Sequence, residues 1–320
     1  MSRLQFLAPV LVVLLAACDP FGLPSTRSLE NGAETMLASA ESYEIEGVYT
    51  AAGAQWTFDM QFARPDVRHL TVRSASEQVE AIIIGGEAYF RGQAFLAKHV
   101  GSDPQSQNLA RAAGNAWWKD RATLVPTFPD LTDGNAFRTN FLGSAASVRT
   151  DHQSVGGVDA VELSGVRADV YIASAAPYHL VRVRFHEGVV VDGISGADLA
   201  FTNVDHDFGI KAPIDVIDFG NLSTLPPIYT VLSVDTSGCV SPCVVSAKLK
   251  NLGGMIAARA PSTVTFTMTD PVSKQTLGSC TETVQPDVGY NSTTTVSCTI
   301  SATPVNAAVV TATANNPGRG

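Results

Sequence analysis

The chain has 320 residues, 45% of them hydrophobic, with 30 acidic against 21 basic side chains and a net charge of −9. That is ample apolar material for packed cores, and the length suggests two domains, since single cores seldom grow beyond roughly 250–300 residues. The acidic balance argues against a nucleic-acid partner, whose phosphates need a basic face, and gives no electrostatic help at an anionic membrane.

Arg3 supplies a short basic start, and Leu4–Ala17 is an almost unbroken apolar run ending Leu15-Ala16-Ala17-Cys18. The run is too short to span a hydrocarbon core of about 30 Å, but it suits a secretory signal peptide over residues 1–17. The Leu-Ala-Ala-Cys ending resembles a bacterial lipobox. The resemblance implies diacylglyceryl transfer to the Cys18 sulfur, cleavage before Cys18 and acylation of the new amino terminus. It thus implies a lipid-anchored protein on the extracytoplasmic side of a bacterial cell membrane. Two acyl chains are the two signals that stable anchoring needs, each buried CH₂ contributing about 0.8 kcal/mol.

Residues 18–27, with two Pro and a Gly, read as a tether. Ser28 is expected to cap a helix to about Ser42, with Leu29, Ala33, Met36, Leu37 and Ala40 at helical spacing. From Tyr43 the period becomes two. In Gln55–Ala63, Trp56, Phe58, Met60 and Phe62 alternate with polar residues, which predicts a strand with one apolar face. Val67–Arg73, Val79–Ile84 and Ala88–Leu96 continue an antiparallel meander. Trp117-Trp118 can start a strand. Gln105–Ala113 and Asn135–Leu142 read as helical, and strands resume at Val158–Leu163, Asp169–Ala173, His179–Phe185 and Leu199–Phe208. The pattern predicts an α+β domain over residues 28–220 with one large antiparallel sheet.

Residues 221–229, with Pro226-Pro227, read as a linker. Val231–Val234, Val244–Lys250, Ser262–Met268, Leu277–Val284, Thr293–Ile300 and Ala308–Ala314 are short strands at near-regular spacing, so residues 230–316 are expected to form a small all-β sandwich, with 317–320 a frayed tail. Cys239, Cys243, Cys280 and Cys298 all fall in this part and suit disulfides in an oxidising compartment. A hairpin of Leu277–Val284 with Thr293–Ile300 would set Cys280 opposite Cys298, leaving Cys239–Cys243 to close a local loop. The crossed pairings are the alternative. No His lies beyond residue 206, so a zinc site is the weaker reading.

Nothing points to catalysis or a cofactor: G-x-S-x-G, P-loop and H-E-x-x-H patterns are all missing. On a strand, Asp205 and Asp207 would share a face away from His206, which argues against a metal there. His69, His99, His152 and His179 stand among polar neighbours and are expected to be solvated.

Residues 28–220 resemble the LppX/LprAFG family of actinobacterial lipoproteins and, more distantly, the LolA/LolB carriers. The likeness rests on Ser42-Tyr43-Glu44-Ile45-Glu46-Gly47, the Trp56–Phe62 strand, Ala88-Tyr89-Phe90-Arg91-Gly92, and the segments Val158–Gly165, Pro177–Phe185 and Phe208–Pro213. It implies a curved antiparallel half-barrel with helices over its concave face and an apolar cavity for acyl chains. Trp56, Phe58, Met60, Phe62, Leu70, Val72, Ile82, Ile84, Val181, Val183 and Phe185 would line that cavity; the plain alternative is an ordinary core. The sandwich resembles FxLYD or CARDB-like immunoglobulin-type modules on Leu249-Lys250-Asn251-Leu252-Gly253 and the Thr265–Asp270 strand, and it would contact an envelope protein. The expectation is a lipoprotein that binds and carries or presents a lipid or glycolipid. The alternative is a sensor or scaffold with a closed core.

Overall fold

In the computed structural model, residues 22–126, 128–302 and 308–319 are described. The expected signal peptide and Cys18 lie outside them. Helix α1 spans Thr26–Ser39 and begins within the expected tether. Ser25, not Ser28, is its cap: the Ser25 hydroxyl accepts from the Ser28 amide at 3.1 Å, satisfying one free donor of the first turn. Leu29, Ala33, Met36 and Leu37 are all buried, as their spacing predicts.

Twelve strands form one open, curved, antiparallel sheet. The first six are β1 (Ser42–Ala51), β2 (Ala54–Ala63), β3 (Val67–Arg73), β4 (Gln78–Ile84), β5 (Glu87–Arg91) and β6 (Trp118–Arg121). The second six are β7 (Val148–Val155), β8 (Val158–Ser164), β9 (Ala168–Ala173), β10 (Leu180–Phe185), β11 (Val190–Val191) and β12 (Ile194–Thr202). Their spatial order is β6-β5-β4-β3-β2-β1-β12-β10-β9-β8-β7, with β11 beside β12. The sheet is thus two meanders joined where the first strand pairs with the last, Glu44 opposite Thr202 and Gly47 opposite Leu199. At that seam a Cβ on Gly47 would lie 2.0 Å from the Asp198 carbonyl oxygen, so only glycine fits.

Between the meanders the chain leaves the sheet. Ala88–Leu96, expected as one strand, stops at Arg91. Gly92 has φ 146°, a Cβ there would meet the Gln78 carbonyl at 2.4 Å, and the chain turns into α2 (Gln93–Val100). Helix α3 is Pro104–Ala113. After β6 come a 3₁₀ turn (Ala122–Leu124), α4 (Pro129–Thr132), a second 3₁₀ turn (Gly134–Ala136) and a π turn (Arg138–Leu142). The helix expected over Asn135–Leu142 is therefore two short turns. The strand expected over Leu199–Phe208 ends at Thr202, because Asn203 and Asp205 take positive φ and bend the chain away.

A single buried cluster unites α1, the sheet, the intervening helical segments and Leu225 and Ile228. The segment expected as a linker is therefore largely buried, with Leu225 to Tyr229 all inaccessible.

The second cluster is a sandwich of two three-stranded sheets. One holds β13 (Tyr229–Asp235), β14 (Cys243–Asn251) and β17 (Thr293–Ile300); the other holds β16 (Thr276–Thr283), β15 (Thr263–Thr269) and β18 (Val309–Asn315). The expected hairpin does not form. β16 pairs with β15 and β17 with β14, so the chain between them crosses from one sheet to the other. Cys280 and Cys298 are nevertheless bonded, with Cα atoms 6.2 Å apart, and their bridge staples the two sheets together. Cys239–Cys243 closes the local loop. The expected frayed tail is docked. The Arg319 amide donates to the Ala112 carbonyl at 2.9 Å, and the Arg259 amide to the Gly318 carbonyl at 2.8 Å.

Candidate functional site

The candidate site is the apolar face of the large sheet. Strand alternation sends Phe58, Met60 and Phe62 of β2 to one side, and register sets Phe58 opposite Val72 and Met60 opposite Leu70. Val183 and Phe185 of β10 join the same buried cluster. All seven are at most 5% exposed. Trp56 packs at their margin, beside an open groove of about 530 Å³ that also touches Val48 and Arg73.

Three expected residues do not belong to this face. Leu70 faces Ala81 and Val72 faces Val79 across the β3–β4 pair, so the inward residues of β4 are Val79, Ala81 and Ile83. Ile82 and Ile84 point the other way, together with Glu80. The shared parity with Glu80 is the sequence signal that marks them as outward. Val181 is displaced by a bulge between Leu180 and Arg182. It lines a groove of about 760 Å³ on the opposite face with Glu46, Val48, Arg182, Asp198 and Ala200.

The inward face is covered by the chain's own side chains. Phe128 stands 4.5 Å from Phe58 and 5.9 Å from Tyr49, centroid to centroid, and Phe141 stands 6.2 Å from Phe185. Phe128 is fully buried and holds a left-handed backbone, φ 49°. Phe141 lies in the segment expected as a helix over Asn135–Leu142, whereas Phe128 follows Pro126 in an irregular stretch and no sequence pattern marks it. Burial pushes the Tyr49 hydroxyl pKa up to about 12, keeping it neutral.

Three histidines outside this face hydrogen-bond to carboxylates: His69 meets Glu80 at 2.9 Å, His99 meets Asp120 at 3.0 Å and His186 meets Asp169 at 2.9 Å. His69 and His99 are thus carboxylate-paired, contrary to the expectation of solvated rings. Asp205 lies outside any strand and accepts from the Glu41 amide at 2.8 Å.

No protein-family model matches the chain. No curated protein matches it either. Among solved structures it is similar to a DUF1329 family protein from Desulfovibrio piger, at 9% identity over 58% of this chain and 95% of that one, with a TM-score of 0.21. A likeness of that size assigns no function.

Proposed function

We propose that the chain is an exported lipoprotein, anchored through acylated Cys18, that takes the acyl chains of a lipid or glycolipid between the sheet's apolar face and the layer covering it. Binding is non-covalent, and the protein carries or presents its ligand at the cell envelope. The supporting observation is the make-up of that covering layer. The described residues between 122 and 142 hold four short turns, none longer than five residues, yet they plant Phe128 and Phe141 on the sheet. Short segments with few internal hydrogen bonds open locally at lower cost than the strands beneath them. Displacing them would expose a continuous apolar trough.

A second reading, an envelope scaffold with a closed core, is favoured by the near-complete burial of the same seven residues. Native mass spectrometry of protein from its own host separates the two. The carrier reading expects a bound lipid mass and a sharp fall in occupancy in Met60→Trp. A lipid-free wild type, together with a loss of about 1–3 kcal/mol in Met60→Trp from overpacking, would leave the scaffold.

A further inference from the structure

At one end of the apolar face, three strands bring Tyr43, Phe62 and Arg68 side by side, Tyr43 opposite Phe62 and Phe62 opposite Arg68. The Tyr43 ring lies 5.0 Å from the Phe62 ring, and the guanidinium carbons of Arg64 and Arg68 each lie 5.6 Å from its centroid. Tyr43 is fully buried, and its hydroxyl has no hydrogen-bond partner among the described residues. The Arg68 Nε is also buried and also without one among them. Buried donors are nearly always paired, so two idle donors on one rim need an explanation.

The neighbouring charges do not supply it. Asp66 Oδ1 lies 3.1 Å from Arg68 Nη2 as an ion pair and makes no hydrogen bond among the described residues, and the Arg68 Nε–H is left unused beside it. Asp192 also faces Arg68, but its carboxylate accepts from the Asp130 and Leu131 amides at 3.2 and 3.0 Å. Arg64 donates to the Leu37 and Ala40 carbonyls at the end of α1, which holds its charge at the rim. Two guanidinium groups and a neutral hydroxyl donor thus meet two carboxylates, of which only Asp66 is paired directly with Arg68.

We propose that Tyr43, Arg64 and Arg68 form an oxyanion site for the phosphate-type head group of the amphiphile whose acyl chain enters beside Phe62. This rests on the carrier reading above. An oxyanion would give both idle donors an acceptor, and charge-assisted bonds of this kind are the strong ones. A cationic or zwitterionic amine would meet two guanidinium groups instead.

The test measures binding of dodecyl phosphate, dodecanol and inorganic phosphate to the purified chain by titration calorimetry. Dodecyl phosphate should bind at least about tenfold tighter than dodecanol, the worth of one charged hydrogen bond. Arg68→Gln and Tyr43→Phe should each erase most of that ratio and leave dodecanol unchanged. Tyr43→Phe should at the same time keep or raise the melting temperature, because it deletes an unpaired buried hydroxyl; a merely structural tyrosine would not separate the two readouts. Equal affinity for the two amphiphiles, or a ratio untouched in both variants, overturns the head-group site while the carrier reading stands. Binding of neither amphiphile overturns both. Inorganic phosphate binding as tightly as dodecyl phosphate overturns the head-group assignment in favour of a free anion.

Discussion

Asp59 lies directly across from Glu46 on the outward side of the sheet, with Glu44 also near it. Partial burial, then the Glu44 and Glu46 charges, hold its carboxyl above the ordinary carboxylate value. A raised carboxyl means that the folded state binds the proton more tightly than the unfolded chain. Its contribution is unfavourable at neutral pH and is relieved as pH falls through the raised value. Asp59→Asn should therefore stabilise the protein at pH 7 and lose that advantage in acid. The gain is about a few tenths of a kcal/mol, since the carboxyl still reaches solvent and is screened, and urea melts across pH read it. Equal effects at both pH values would refute the cluster. Asp198 runs the opposite way, lowered first by its bond from Arg182. How far the sequence reveals the site is also settled at this scale. Phe58, Met60 and Phe62 alternate with wet residues and declare their side. The run Ala81-Ile82-Ile83-Ile84 is apolar throughout, and only Glu80 tells which alternate set turns outward. Tyr43 and Arg68 look like unremarkable strand residues until register sets them around one ring.

The sandwich strands were legible because turn residues punctuate them at even spacing. The partners of β16 and β17 were not, because a short connection suits a hairpin and a crossover between sheets equally well. What decides between them is the cover of Val296, Cys298 and Ile300 against Val264, Phe266 and Met268, a long-range packing choice. The bridge Cys280–Cys298 spans a sequence separation of 18 and links the two sheets at β16 and β17. Loop closure of that size is worth about 3 kcal/mol. The double variant Cys280→Ser/Cys298→Ser should lose about that much in urea melts of the oxidised protein. A loss in Cys239→Ser/Cys243→Ser as large as this would contradict the assignment of Cys280–Cys298 as the main staple.

The two cores are joined more tightly than two Pro in a row suggest. Asn251, fully buried in the sandwich, accepts from the Ile228 amide of the first core at 2.9 Å and donates to the Gly254 and Val288 carbonyls. Asn316 pairs with both backbone groups of Tyr229, at 2.8 and 3.0 Å, where the chain passes from one core to the other. Removing that side chain leaves a half-buried backbone pair unmet, at about 1–3 kcal/mol. Asn316→Ala should split a single calorimetric unfolding peak into two, and an unchanged single peak would show that the cores are coupled elsewhere. The large sheet itself is open, and an open sheet is a template for its own extension. Both margins are spoiled for that use. On β6 the Lys119 amide and the Trp117 carbonyl are already taken by Ile217. On β7 the register breaks between Thr150 and Gln153, His152 takes φ 58°, and Arg149 pairs with Asp151. Two copies brought edge to edge would thus meet kinked, charged or occupied borders, which disfavours strand-to-strand pairing between them.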